Sequence, residues 1–456
     1  MPTPTLTMKN VFKNKFRISK ARFDSRRITA MIHVKSGSPL VNVLLRTLYP
    51  MGGRVSPNWA RLSSIFARKV SLMTRKSGSK WTTIYLKTCS IMLQQAASGH
   101  YIPDLTGFGC RPSRSKSGLP RIIPAYHRKM IKKGNKLILR FWLTCFNLYR
   151  EIDFPGKLKM KTITAISTES SRSRMIGGHL EAFKQLFGNL LDLPFESGSL
   201  FPIYQAGPTT VRIQGVYSTH PESVARSLST LEMPEFSLIR DSLLTVARLT
   251  NNQTLLYLRG LMLPNVEAHT PVKFLGKLAI KEESAGKVRL FAMVDPWTQW
   301  ALKPLHKRLF EMLKKLPTDG TFDQLAPLRR LPFGKNSIYS FDLSAATDRL
   351  PIWLQAEILT CFYGPSFSRA WQDLLVGRAY RTPASKDLLQ KGIEIGKNFP
   401  KSVRYAVGQP MGALSSWAML AMTHHYIVQY CAWTTGIVPT GKLFLDYGIL
   451  GDDIFI

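Results

Sequence analysis

Ser340-Phe-Asp342-Leu-Ser-Ala-Ala-Thr-Asp348-Arg-Leu350 and Tyr447-Gly-Ile-Leu-Gly451-Asp452-Asp453-Ile-Phe-Ile456 decide the reading of this chain. The first puts one acid at the end of an apolar strand and another six residues on. The second places two adjacent acids, 110 residues beyond Asp342, in a Gly-led turn between apolar arms. An isolated Gly-Asp pair is usually just a turn. This turn forces two carboxylates together, and they repel unless a cation lies between them. Two Mg²⁺ ions take oxygen ligands from several carboxylates, with phosphate and water filling the remainder. A carboxylate on one strand facing two from a neighbouring hairpin supplies that set. Its chemistry would be a clamp on the attacking and leaving oxygens of an in-line phosphoryl displacement.

The charge balance names the partner class. Of 456 residues, 63 are Lys or Arg and 28 are Asp or Glu, a net charge of +35 with a pI of about 10.2. A fold with that much self-repulsion is best matched by a polyanion, which favours nucleic acid over small neutral substrates or an acidic protein. Residues 1–150 carry 29 Lys/Arg against two acids, Asp24 and Asp104. Acid-dependent chemistry therefore belongs to the later part of the chain. An apolar fraction of 45% suits a folded core.

Five scattered cysteines without a Cys-x-x-Cys pair support neither a zinc ribbon nor a disulfide framework. No uninterrupted apolar run is long enough for a membrane span. The N-terminus lacks a secretory signal core, and its basic, nearly acid-free character resembles a mitochondrial presequence.

Along the chain, residues 1–80 show only a weak helical period. Arg111–Gly118 and His127–Lys133 read as basic loops, and Leu137–Tyr149 as a buried helix. Amphipathic helices are expected around 178–192 and 222–231, then one over 235–262. Two strands follow at 274–281 and 287–294, then a helix over 296–315 with Trp297, Trp300, Leu302, Leu305, Leu309 and Met312 near helical spacing. A strand ending at Asp342, helices at 351–363 and 366–378, a short strand near 402–407, a helix over 413–433 and a terminal strand–turn–strand complete the expectation.

Lys281, Lys287 and Arg289 flank the first hairpin. Val288, Leu290 and Ala292 alternate with the basic residues, so Lys287 and Arg289 share the outer face, where cations can neutralise a triphosphate. A solvated basic face is the plainer alternative. Gly408-Gln-Pro-Met-Gly412-Ala-Leu-Ser415-Ser416-Trp precedes the long helix; glycines allow close backbone approach, and serines in a first helical turn can meet phosphate or ribose. Read alone, it is an ordinary loop with a serine cap. His424-His425 makes a poor metal pair, because adjacent helical residues point about 100° apart. A structural role is expected for it.

The order of basic hairpin, Asp-x5-Asp, Gly-rich loop with serines and Gly-Asp-Asp resembles motifs F, A, B and C of viral RNA-dependent RNA polymerases. The strings narrow it: Lys281-Glu-Glu-Ser-Ala-Gly-Lys-Val-Arg-Leu-Phe-Ala-Met-Val-Asp with Trp297-Thr-Gln, Phe341-Asp-Leu-Ser-Ala-Ala-Thr-Asp-Arg-Leu-Pro, and the Gly408 loop running on to Thr423-His-His. They are similar to mitovirus polymerases over about 271–456. The resemblance implies an α+β right-hand polymerase with an antiparallel palm sheet flanked by helices. It divides the chain into a basic RNA-contacting region (1–150), a helical N-terminal/fingers region (151–270), fingers with motif F (271–340) and a palm (341–456). It implies that Asp342, Asp452 and Asp453 are catalytic metal ligands for two Mg²⁺, with Mn²⁺ as substitute. Asp348 is expected near the incoming ribose and Lys281, Lys287 and Arg289 on the triphosphate. Gly412, Ser415 and Ser416 are expected beside template and nucleotide.

The same resemblance implies RNA template and product and ribonucleoside triphosphates as partners, no obligate protein partner, and replication of a mitochondrial RNA replicon. The chain stops before the motif D lysine, motif E and thumb of such enzymes. A fragment or a relic copy is therefore expected, with a three-residue arm holding Asp452 and Asp453 poorly. Two other readings compete. A reverse transcriptase or maturase would place a bulky aromatic near the ribose, where this chain has Leu343 to Asp348 without one. A catalytically inactive RNA-binding relic would keep the basic region and lose turnover.

Overall fold

The computed structural model describes residues 57–152, 154–167, 176–196, 207–213, 216–218, 221–331, 338–396 and 398–456. The expectations for residues 1–56 lie outside them. The chain falls into two compact units. One holds the described residues through Lys157 together with Glu282–Val288; the other holds Leu158–Lys281 and Arg289–Ile456.

In the first unit, Leu62, Phe66, Val70 and Met73 recur at helical spacing, and Leu86, Cys89 and Leu93 do so again. They belong to one helical segment, α1 (Pro57–Ala97), broken at Gly78 with φ 81°. The break shifts the phase of the apolar stripe between its two halves. Residues 127–133, expected as a basic loop, mostly form α2 (Ala125–Lys132) instead. The buried Ile131 and a 3.0 Å bond from Trp142 Nε1 to His127 Nδ1 fix that helix, and neither shows in its charge pattern. Asn135 caps α3 (Lys136–Asn147) by accepting from Ile138 N at 3.0 Å. The helix buries Phe141, Trp142, Cys145 and Phe146 in a core shared with α1. All five cysteines are free thiols. Arg61, Arg68, Lys69, Arg75, Lys76, Lys80 and Lys87 stay exposed on α1, which contains no acid.

The second unit is mainly helical with small sheets. After a short helical turn at Lys161–Thr164 it holds α4 (Leu180–Gln185), the antiparallel pair β1 (Val211–Ile213) and β2 (Val216–Ser218), and α5 (Pro221–Leu231). The single helix expected over 235–262 is two, α6 (Ser237–Leu249) and α7 (Gln253–Met262). Asn251 turns left-handed (φ 52°), and Asn252 caps the second helix through Leu255 N. The hairpin strands are β3 (Gly276–Glu282) and β4 (Val288–Val294); Gly276 and Leu278 of β3 and Ala292 and Val294 of β4 are buried at period two, and the ends next to the turn are more exposed.

Helix α8 (Pro296–Lys315) starts where Asp295 accepts from Thr298 N at 2.9 Å and Pro296 takes the first position. Trp297, Trp300, Leu302, Leu305, Leu309 and Met312 are fully buried along it, as their spacing predicts. Each contributes roughly 1.5–3 kcal/mol of apolar burial. Next come β5 (Ser340–Asp342), α9 (Ala346–Arg349), α10 (Ile352–Tyr363) and α11 (Pro365–Val376). After β6 (Tyr380–Arg381) and β7 (Ser402–Val403), α12 (Ser416–Thr434) leads to β8 (Gly448–Leu450) and β9 (Asp453–Phe455). Helix α6 packs on α11, α10 on α11, and α12 on α8. No helix of the described residues is long and apolar enough to cross a membrane.

One sheet has the order β4-β3-β6-β7 and the other β5-β9-β8. The terminal arm is better held than its length suggests, because β9 is the central strand. It pairs antiparallel with β5 and β8 at once, and Ile456 and Tyr339 exchange both backbone bonds at 2.9 Å.

Candidate active site

The β5-β9 register sets Asp342 directly opposite Asp453. Directly opposed residues of an antiparallel pair lie about 4.5–5.5 Å apart at Cα and share one sheet face. Leu343 N donates to Asp452 O at 3.2 Å, which ties the two turns at the strand ends. The Asp453 carboxyl is raised above the ordinary carboxylate range, first by desolvation and then by the negative charges of Asp452 and Asp342. The three acids expected to meet are thus one electrostatic group.

Asp348 sits on α9, largely enclosed, its carboxyl raised by burial and partly restored by a hydrogen bond from Thr162. The Gly408 loop is fastened to the same helix. Gly408 N donates to Asp348 O at 3.0 Å and Gln409 N to Thr347 O at 2.9 Å. A Cβ on Gly408 would collide with the backbone of Thr347 and Asp348, so only glycine fits. Buried Gln409 then bridges to Gln355 Oε1 (2.5 Å) and Ser416 O (2.9 Å).

Gly412 has φ 116°, and a Cβ there would lie 2.5 Å from Ala292 O on β4. Ala292 N donates to Met411 O at 2.6 Å, so the loop is sewn to the basic hairpin. Gln299 of α8 holds the loop at both ends, donating to Gly412 O (3.0 Å) and accepting from Leu414 N (2.7 Å).

The serines are turned inward. Ser415 is fully buried with φ 70°; its N–H donates to His306 Nδ1 (3.1 Å) and its hydroxyl accepts from Trp371 Nε1 (2.9 Å). Ser416 is 2% exposed, and its hydroxyl has no partner among the described residues. Neither hydroxyl is displayed to solvent as the first-turn position suggests. Lys281 and Arg289 lie exposed on the hairpin strands, and Lys287, also exposed, lies 3.7 Å from Glu283.

The histidine pair, with residues that sequence reading missed, holds the acidic turn from behind. His424 Nδ1 lies 3.0 Å from Gly451 O, and the Trp417 ring packs on Gly451. His425 Nε2 donates to Asp319 Oδ2 at 3.0 Å while its Nδ1 accepts from the Tyr447 hydroxyl at 2.7 Å. Gln429 Nε2 donates to the same hydroxyl at 3.0 Å. Thr318–Gly320 runs beside β8 through Gly320 N to Ile449 O (2.7 Å) and Ile449 N to Thr318 O (2.9 Å). The histidine pair is structural, as expected. Its partners Asp319 and Tyr447 carry no signal in the sequence. A second buried pair, Arg378 to Asp295 at 2.6 Å, locks the start of α8, with Arg378 also donating to Leu275 O and Thr298 Oγ1.

Hard oxygen donors alone make up the acid set, which suits Mg²⁺ or Mn²⁺. Among the described residues no three His, Cys, Asp or Glu side chains already converge as a metal cage. The repulsion of Asp452 and Asp342 on Asp453 and the fixed Asp342–Asp453 register nonetheless describe a place where a divalent cation would relieve charge. The residues fit the ion in donor chemistry and facing.

Residues 196–456 match the family model described as Mitovirus RNA-dependent RNA polymerase, and residues 29–105 the one described as Uncharacterized mitochondrial protein AtMg01050. The chain is 42% identical over 189 residues to the RNA-directed RNA polymerase of Cryphonectria parasitica mitovirus 1 (strain American chestnut tree/New Jersey/NB631), covering 41% of this chain and 21% of that protein. It is 36% identical over 146 residues to one uncharacterized mitochondrial protein of Arabidopsis thaliana, covering 32% of this chain and 54% of that one. A second from the same plant is 34% identical over 143 residues, covering 31% and 64%. The chain thus spans less than two thirds of each of these relatives.

Proposed function

From a chain that belongs to the mitovirus RNA-dependent RNA polymerase family, a family of nucleotidyltransferases, we propose templated addition of ribonucleotides to RNA at the β5-β9-β8 sheet. The observation that carries the reading is Asp342 opposite Asp453 with Asp452 beside it. In this reading the sheet is the palm of a right hand, and the divisions 1–150, 151–270, 271–340 and 341–456 are basic region, helical region, fingers and palm.

Asp342, Asp452 and Asp453 would hold the divalent ions, which when bound supply charge stabilisation to the attacking and leaving oxygens of phosphoryl transfer. The chain's own residues do the positioning. Asp348 accepts a bond from the ribose 2′-hydroxyl, which favours ribonucleotides. Lys281, Lys287 and Arg289 neutralise the triphosphate. Gly412 keeps the loop low against β4, and Ser415 and Ser416 tie that loop into the core behind the nucleotide. RNA and ribonucleoside triphosphates are the substrates. A mitochondrial replicon is the setting, a reading supported by the relatives named as mitochondrial.

Primer extension with Mg²⁺ tests the assignment. Asp342→Ala and Asp452→Ala are expected to abolish nucleotide addition while leaving RNA binding nearly intact. They are also expected to weaken Mn²⁺ binding measured by calorimetry. An Asp342→Ala chain that keeps the parent's rate and Mn²⁺ affinity refutes the reading.

A further inference from the structure

Asp348 is enclosed by a segment that lies far from it in the chain. The short turn Lys161–Thr164 packs on α9, and fully buried Ile163 anchors it in the core of the second unit. Ile163 O accepts from Ala406 N at 3.0 Å, just ahead of the Gly408 loop. Arg349, next to Asp348, donates to Ala165 O and to Ile166 O. One stretch of backbone is thus tied both to the helix that carries Asp348 and to the chain entering the glycine loop.

Thr162 is the side chain that this clasp delivers to Asp348. It is half-buried, and its hydroxyl hydrogen-bonds the carboxyl. The same oxygen lies 3.3 Å from Lys159 O, the alternative acceptor within its own turn. A hydroxyl has one proton to give. The carbonyl bond is a poor one at that length, since O–H···O bonds cluster near about 2.7–2.8 Å. A carboxylate is the stronger acceptor, with charge-assisted bonds roughly twice as strong as neutral ones. The proton therefore goes to Asp348.

That bond has two effects. Burial pushes the Asp348 carboxyl up toward its neutral form, and the Thr162 bond works against this, with the Arg349 charge assisting. The bond also engages one side of the carboxylate and so fixes its rotation. Arg349 directs its guanidinium to the carbonyls of residues 165 and 166, so it contributes charge rather than orientation. Tyr405 faces Asp348 from the segment before Gly408, and burial together with the Asp348 charge keeps its phenol protonated. Helix α12 also packs on α9 and has no ionisable side chain between Ser416 and Thr423.

We propose that Thr162 is a positioning residue for sugar selection: its hydroxyl holds one oxygen of an ionised Asp348 and leaves the other for the 2′-hydroxyl of the incoming nucleotide. A site that bonds a hydroxyl rejects the analogue lacking it only while its acceptor is held in place. The proposal rests on the reading of Asp348 as the ribose acceptor and adds the residue that sets it.

The test is equilibrium binding of a ribonucleoside triphosphate and of its 2′-deoxy counterpart to the full chain, with a primed RNA template and Mn²⁺, from about pH 5 to about pH 8. It needs no turnover. The ratio of the two affinities is expected to favour the ribonucleotide and to rise with pH as Asp348 ionises. Thr162→Val keeps the side chain's shape and removes the hydroxyl. It is expected to lower the ratio roughly 2- to 10-fold and to move its pH midpoint upward, because a bond favouring the ionised form is gone. Thr162→Ser, which keeps the hydroxyl, is expected to restore both, and Asp348→Ala to abolish the preference. RNA affinity should match the parent's in all three variants. A parent chain that binds neither nucleotide or both equally, or an Asp348→Ala chain that keeps the preference, overturns the proposal together with the ribose assignment. Loss of preference in Asp348→Ala with an unchanged ratio and midpoint in Thr162→Val overturns the proposal alone. A lowered ratio at an unchanged midpoint, or no recovery in Thr162→Ser, leaves Thr162 a packing role only and overturns it as well.

Discussion

Tyr447→Phe removes one oxygen atom and should loosen the acidic turn five residues away. The hydroxyl lies at the centre of a buried relay in which it donates to His425 Nδ1 (2.7 Å) and accepts from Gln429 Nε2 (3.0 Å). Tyr447 is 1% exposed and His425 fully buried, so water cannot take over either bond. A neutral hydrogen bond contributes about 0.5–1.5 kcal/mol net, and a buried acceptor left unpaired costs about 1–3 kcal/mol. The change should therefore cost about 2 kcal/mol, felt locally because the ring keeps its packing on Phe444. His425→Leu is the harsher case. It strips the Nε2 donor from Asp319, whose side chain is 1% exposed, and stranding a buried carboxylate costs about 3–5 kcal/mol. Both changes act on β8, which pairs with Asp453 through Leu450. A shift near 1 Å at the reacting groups can cost about 10²-fold in rate. Hydrogen exchange over residues 447–456, read beside RNA binding and primer extension, measures this. Protection should fall in the order parent, Tyr447→Phe, His425→Leu, with synthesis falling alongside and RNA binding unchanged. Equal protection in all three chains would refute the argument that the relay positions the turn.

Gly408→Ala should destabilise the second unit by at least about 1–3 kcal/mol, because the new methyl meets the backbone of Thr347 and Asp348 rather than a movable side chain; a urea midpoint equal to the parent's would count against it. Asp348→Asn should stabilise the fold at neutral pH. Burial raises the Asp348 carboxyl, so the folded chain takes up a proton more readily than the unfolded one, and its ionised form costs stability. The gain should shrink as pH falls through the raised value toward about 4, and a gain independent of pH would show that charge is not the cause. The same change should lower discrimination between ribo- and deoxyribonucleotides more than overall rate, read by competition of matched nucleotides. Arg378→Met should cost about 3–5 kcal/mol by stranding Asp295, and pairing it with Asp295→Leu should recover part of the loss in thermal unfolding.

Helix α8 was legible because its large apolar residues Trp297, Trp300, Leu305, Leu309 and Met312 fall near helical spacing and its start carries an Asp cap with proline in the first position. The β3–β4 hairpin was legible for the same kind of reason, since Ala292 and Val294 of β4 are buried and Arg289 between Val288 and Leu290 is exposed. Local signals misled where a polar break or a charge run hid the packing. Thr250-Asn-Asn-Gln253 interrupts the stripe of 235–262 and was the visible sign of two helices. The lysines of 129–133 masked a helix whose hold is the single buried Ile131 and a Trp142 bond arriving from the next element.

The carboxylates themselves were readable because the chemistry requires acids at strand ends, and a turn carrying two of them is conspicuous. What supports them was not, because each support joins residues far apart in the chain. Asp319 meets His425 across 106 positions, Arg378 meets Asp295 across 83, and Trp371 meets Ser415 across 44. Nothing at either end announces the other; only the packing of the helices and loops in the folded unit brings them together. The same packing reverses the reading of the serines. A residue at the first turn of a helix ordinarily turns its hydroxyl to the free N–H groups there. Ser415 instead takes a left-handed backbone, accepts from Trp371 Nε1 on its hydroxyl and donates its N–H to His306. That arrangement fastens the loop to α8 and α11 as firmly as Gly408 fastens it to α9. The carboxylate face is therefore held from behind by aromatic and imidazole groups, so its acids stand on the side where a cation and a phosphate chain would approach.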